Sequence, residues 1–254
     1  MRIAVCVKHA VDEAELKIDP GGNPLLAGAA GKMSTFDKNA VEEGLRLKAA
    51  HQGEVVVFTV GGAESKKTLK EALAMGADRG VLVASDPMAL DALRTATMLV
   101  AAMKKSGAFD VVICSEGASD TYTGEVPPMV GELLGVPYVG YARKIVVEGK
   151  AARIERSLED SVESVEAPVP FATSVVSEIN EPRYPTLIQI MQASKKPIDE
   201  LSGEETAPAG SRRWVEVLSM SSQPTARKHV MIDGSPDEAA AKLLDALSKE
   251  GVLK

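Results

Sequence analysis

The sequence predicts an α/β protein: a mostly parallel, doubly wound sheet with added β-hairpin strands and a C-terminal arm. Three observations predict it. Short β-branched runs that are apolar nearly throughout recur along the first half, as strands buried on both faces require. Between them, apolar residues fall at three- and four-residue spacing, so strand and helix alternate at the intervals of βαβ units. From Arg143 onward the pattern changes to short strands with a tight turn, and a break rich in small and polar residues precedes the tail.

The elements follow in order. Arg2 to Lys8 (RIAVCVK) is the first strand, and a long polar, glycine-rich connection runs on to Met33. Ser34 with Asp37 three residues later has the spacing of a capping box, opening a helix with Val41, Leu45 and Ala49 on one face. Glu54 to Val60 is a second strand, closed by Gly61-Gly62. Ser65 to Met75 is a second helix, with Leu69 and Leu73 inward and Gly76 as its stop. Gly80 to Ala84 is a third strand. Pro87 stands near the start of a third helix, whose Leu93, Ala96, Val100 and Met103 form one face. Val111 to Ser115 is a fourth strand and Gly124 to Leu134 a fourth helix. Arg143 to Val147, the turn Glu148-Gly149 and Ala152 to Leu158 read as a hairpin. Val162 to Val165 and Ala172 to Val176 add strands. Ser202 to Ser211 reads as a linker. A last helix, Pro236 to Ser248, carries an apolar stripe of Leu243, Leu244 and Leu247. The expected division is an α/β domain over 1–201, and a linker with an arm too short for its own core over 202–254.

Composition narrows the function. The chain has 254 residues, is 45% hydrophobic and 26% charged, and carries a net charge of −7. An acidic chain is a poor match for a nucleic-acid backbone, so nucleic acid is not expected as a partner. No uncharged apolar run reaches the ~20 residues of a membrane span. Asp12, Glu13 and Glu15 are wrong for a signal or transit peptide, so the expected location is the cytoplasm, or the mitochondrial matrix in a eukaryote. Cys6 and Cys114 lie in apolar runs, as buried free thiols of a reducing compartment do. His9, His51 and His229 are scattered, which argues against a histidine metal site. No Gly-rich dinucleotide fingerprint, Walker loop or paired nucleophile and base is present, so no catalytic residue is expected.

Chemistry is expected in the loop Ser115 to Val126 (SEGASDTYTGEV), which joins the fourth strand to the fourth helix. Its last residues would offer free amides at a helix N-terminus, a seat for phosphate. With strand order 3-2-1-4, this loop faces the loop after strand one across the point where the order reverses. Lys8 and His9 end the first strand there.

The most unusual run is Asn180 to Pro197 (NEPRYPTLIQIMQASKKP). Pro182 and Pro185 hold the backbone extended, and Thr186 is placed to cap a short helix with Leu187, Ile190 and Met191 along one side. Lys195 and Lys196 fall where a helix C-terminus favours cations, and Pro197 ends it. By itself this is an amphipathic helix packed on its own domain, with Arg183 paired to Glu181 and Ile188 turned inward. The run closely resembles the signature segment of electron-transfer flavoprotein (ETF) β subunits. So do Val5 to His9, Phe36 to Lys48 and Glu71 to Gly80, in the family order, and the resemblance spans essentially the whole chain.

The resemblance implies a Rossmann-like fold of the adenine-nucleotide-binding type and a heterodimer with an ETF α subunit, onto which the arm wraps. FAD would be held mainly by that α subunit. The partners implied are flavoprotein dehydrogenases and, as acceptor, an ETF-quinone oxidoreductase. Asn180 to Pro197 would be the docking loop, with Leu187 its anchor and Arg183, Tyr184, Ile190 and Met191 around it. An AMP would be held by Cys6 and Val57 near the base, by Ser34, Thr35, Phe36 and Asp37, and by Ser115, Asp120, Thr121, Tyr122, Thr123, Gly124, Glu125 and Val126. Asp120 matches a family aspartate, Thr123 a phosphate hydroxyl and Phe36 a phenylalanine that touches the flavin. Tyr122 and Glu125 depart from the pattern, standing where many members have Asp and Gln. Leu158-Glu159-Asp160 resembles the bifurcating branch, whose β crevice holds a second FAD in place of AMP and meets NADH; the loop at Ser115 lacks that branch's Asp-Gly-Asp-Thr-Ala-Gln run. A stand-alone ATP-binding domain of the same broad fold is a further alternative, which would need neither docking loop nor arm. Trp214 is expected to pack in the ordinary way.

Overall fold

A computed structural model describes residues 1–26, 28–207, 213–222 and 229–253. The strands are β1 (Arg2–Cys6), β2 (His9–Val11), β3 (Gly31–Met33), β4 (Glu54–Gly61), β5 (Arg79–Ala84), β6 (Val111–Ser115), β7 (Tyr138–Glu148), β8 (Ala151–Ser157), β9 (Val162–Pro168), β10 (Phe171–Val175) and β11 (Ile198–Ser202). The α-helices are α1 (Thr35–His51), α2 (Lys66–Met75), α3 (Ala92–Ser106), α4 (Val126–Leu134), α5 (Leu187–Ala193), α6 (Gly203–Thr206) and α7 (Pro236–Lys249).

Nine strands form one sheet in the order β11-β5-β4-β1-β6-β10-β7-β8-β9. From β11 to β7 every pairing is parallel, and β8 and β9 extend the sheet as an antiparallel meander. The central order β5-β4-β1-β6 is the expected 3-2-1-4, so the order reverses between β1 and β6. One core layer joins Ile3, Val5, Val55 and Val57 to Val41 and Leu45 of α1 and Leu69 and Leu73 of α2. The other joins Ala4, Cys6, Val56 and Phe58 to Met98, Leu99 and Met103 of α3 and Val130 of α4. Alternation along β1 and β4 therefore feeds both faces, as in a sheet covered on both sides.

Several local expectations are corrected. The polar connection before Met33 contains the antiparallel ribbon of β2 and β3. Pro87 lies in a separate 3-10 turn, and α3 starts at Ala92 because Asp91 accepts a hydrogen bond from the Arg94 amide. Helix α4 starts at Val126 rather than Gly124, whose φ of +65° is left-handed and non-helical. Strand β11 was not expected after Pro197; it pairs with β5 at the sheet edge. The first residues of the expected linker form α6, with Thr206 buried, while 208–212 lie outside the described residues. Trp214 does not pack away: it is 68% exposed.

Lys196 does not serve its own helix. Its Nζ donates to the carbonyls of Leu73 (2.9 Å) and Ala77 (2.6 Å), satisfying acceptors at the C-terminal end of α2. Burial lowers its pKa, so the charge is held there at some desolvation cost. Lys196→Ala is expected to destabilise the fold by about 1–2 kcal/mol through two unsatisfied carbonyls. A urea melt in which the midpoint does not move would overturn this capping role.

Candidate functional site

The crevice between the C-terminal ends of β1 and β6 is organised by Asp37. Its carboxylate accepts from the Lys8 amide at 2.6 Å and from the Ser115 hydroxyl, tying α1 to the ends of both strands. The expected capping box is therefore absent. Ser34 is the N-cap of α1, but its Oγ accepts from the Ser119 amide at 3.1 Å instead, and Asp37 is drawn into the crevice. Lys8 reaches over the crevice to Asp120 at 2.7 Å and lies 3.4 Å from Thr121 Oγ1. His9 turns away and bonds Thr68 at 2.9 Å. Ser34, Asp37, Ser115, Asp120 and Thr121 thus come together, and Lys8 and Ser119 join them. Ser119 Oγ is buried and has no hydrogen-bond partner among the described residues, so it is available to a polar ligand.

The remaining candidates are spread around this network. Phe36 and Tyr122 meet ring to ring, with centroids 5.3 Å apart. Thr35, Thr123 and Glu125 are exposed. At Gly124 a Cβ would stand 3.0 Å from the Glu116 carbonyl, and with its positive φ the turn calls for glycine. Val126 is the first residue of α4, but Pro127 and Pro128 follow it and have no N–H. The helix terminus is thus a weaker anion seat than the sequence suggests. Val57 is wholly buried in the α1/α2 layer, whereas Cys6 lies on the opposite face. The Cys114 thiol, then burial, push the Cys6 thiol well up, and both cysteines are free.

Burial raises Asp37 to about 7, although the Ser115 and Lys8 hydrogen bonds partly offset it. A raised folded pKa means that the native chain holds this proton more tightly than the unfolded chain. Its stabilisation is complete below the ordinary 3.8 and is lost as pH climbs through about 7. The expected outcome is a carboxylic-acid infrared band that titrates near pH 7 and is missing in Asp37→Asn. A band already ionised at acidic pH would contradict it.

The second candidate site, the docking loop, is attached to the same helix. Asn39 Nδ2 donates to the carbonyls of Ser177 (2.9 Å) and Asn180 (2.8 Å). Asn180 returns bonds to the Asn39 carbonyl (3.0 Å) and Glu43 (3.1 Å). Arg183 pairs with Glu42 of α1 and not with its near neighbour Glu181. It grips that carboxylate through Nε (2.7 Å), Nη2 (2.9 Å) and its own amide (3.2 Å). Burial alone would raise Glu42, but the Arg183 hydrogen bonds outweigh it and leave the pKa lowered. Sequence reasoning missed Glu42 and Asn39. Both read as ordinary polar helix residues, and only the return of the chain over α1 buries them.

From this base α5 projects outward. Thr186 caps it in a complete capping box with Gln189. Leu187 is 79% exposed; Tyr184, Ile190 and Met191 are exposed with it, and so is Ile188, which was expected to turn inward. Only Ala193 of this helix is buried, on the side where α5 meets α2. Glu42→Gln is expected to cost about 1–2 kcal/mol, since the Arg183 end of the pair is half exposed. Amide exchange over 180–186 should quicken; unchanged exchange there would count against this anchoring.

Residues 25–206 match the family model described as Electron transfer flavoprotein domain. The chain is 33% identical over 261 residues to the electron transfer flavoprotein subunit beta of Thermoanaerobacterium thermosaccharolyticum, covering all of both chains. It is 33% identical over 257 residues to the protein of that name in Clostridium acetobutylicum, covering 98% of this chain and 99% of the other. With the one in Megasphaera elsdenii it shares 34% identity over 234 residues, covering 89% and 85%.

Proposed function

The chain belongs to the electron transfer flavoprotein family, as a β subunit, and from that membership we propose that it works in a heterodimer. There it would carry electrons from flavoprotein dehydrogenases to a downstream acceptor such as an ETF-quinone oxidoreductase, in the cytoplasm. FAD supplies the electron-carrying chemistry and sits mainly in the α subunit; this chain supplies position and docking. Phe36, at the mouth of the crevice, fits a contact to that flavin. The tail beyond α6 serves as the arm that holds the α subunit. Its exposed Trp214, Val217, Leu218, Leu243 and Leu244 support that role, as an apolar surface of this kind marks a partner interface.

The crevice would hold one adenine mononucleotide, AMP. The unpartnered Ser119 Oγ fits it, as do the loop hydroxyls Thr121 and Thr123. Lys8, held in place by Asp120, would be the cation that meets its phosphate.

The observation that carries the docking role is Leu187: a large apolar side chain, 79% exposed, on a helix whose base is locked to α1. Full burial of such a leucine in a partner pocket is worth about 2 kcal/mol, or about thirtyfold in affinity. Small interfaces of transient electron-transfer pairs let one anchor carry much of the binding. Leu187→Ala should therefore slow reduction by the dehydrogenase and leave the flavin spectrum and melting temperature nearly unchanged. A core leucine would instead cost about 2–5 kcal/mol of stability. A large drop in melting temperature with an unchanged coupled rate would refute the docking role.

A further inference from the structure

Resting on the crevice reading above, we propose that Tyr122 is a specificity residue: it restricts the crevice to a mononucleotide and bars a second flavin. Phe36 stands on the α1 side of the crevice and Tyr122 on the β6 side, and their rings meet with centroids 5.3 Å apart and planes at 52°. A planar ring inserted between two others needs about 3.5–4.0 Å of contact distance on each side. An isoalloxazine could enter between the two rings only by parting them.

Three features set the Tyr122 ring apart. Gly117 lies beneath it, and a Cβ there would stand 2.7 Å from Tyr122 Cδ2, so a larger residue at 117 would push the ring out of place. Burial, then the charge of the nearby Glu116, raise the pKa of the phenol. The backbone of Tyr122 sits at φ +48°, a left-handed conformation that is unfavourable for a bulky residue. That strain is not repaid by burial, because the side chain remains 54% exposed. A strained, half-exposed aromatic ring at the meeting of two crevice lips serves the ligand rather than the core.

The test uses the copurified heterodimer in three forms: wild type, Tyr122→Ala and Tyr122→Phe. Nucleotides are released by acid and quantified, and added FAD is titrated by difference absorbance. Wild type and Tyr122→Phe, which keeps the ring, should release one FAD with one adenine mononucleotide and refuse further FAD. Tyr122→Ala should take up a second FAD in place of the mononucleotide, binding it at least about tenfold more tightly than wild type does. Two FAD in the wild type, or a Tyr122→Ala complex that refuses FAD as firmly as wild type, would overturn the inference while leaving the electron-carrier reading intact. A wild-type complex without any FAD would overturn that reading and the inference with it.

Discussion

The buried carboxylate of Asp37 is the constraint on which the rest of the structure depends. A charge-bearing group is tolerated in the interior only when hydrogen bonds replace its water. Here the replacements come from the Lys8 amide at the end of β1 and the Ser115 hydroxyl at the end of β6. Those are the two strands between which the sheet order reverses, so one side chain sets the width of the crevice. It also fixes where α1 begins and how that helix is rotated over the sheet.

That rotation has a second consequence. Asn39, Glu42 and Glu43 follow on the same helix and are buried with Asp37. They supply the hydrogen bonds that hold Asn180 and Arg183. The crevice and the loop 180–197 are therefore built on one rigid element, with α1 packed so closely on β1 that a Cβ at Gly44 would stand 2.9 Å from Val5 Cγ2. Lys196 secures the far end of the loop on α2 before β11 joins the sheet. An exposed leucine on such a base pays little ordering entropy on binding, which suits a transient partner.

The strand-helix alternation of β1, β4, β5 and β6, the hairpin of β7 and β8, and the Thr186 cap were legible because each rests on neighbours in the chain. Periodicity reports which face is apolar, and the prolines at 182 and 185 act through their own rings. The Ser34–Asp37 spacing misled for the same reason. A capping box is a local pattern, but here two distant partners, Ser119 and Ser115, compete for the side chains and win. Glu181 is likewise nearer to Arg183 in sequence, yet Glu42 takes it because the buried carboxylate has no water to fall back on.

The sequence by itself determined the layered α/β architecture, the helix that presents Leu187 and, through four ordered blocks, the family. Tertiary structure alone decided which polar residues are buried, that Lys196 caps a helix other than its own, that β11 closes the sheet edge, and that Phe36 and Tyr122 close on each other across the crevice. The physical reason is separation along the chain. Hydrophobic period and backbone propensity act over a few residues. Hydrogen bonds such as Asn39 to Asn180, or Lys8 to Asp120, span more than a hundred residues and exist only once the sheet has brought their ends together.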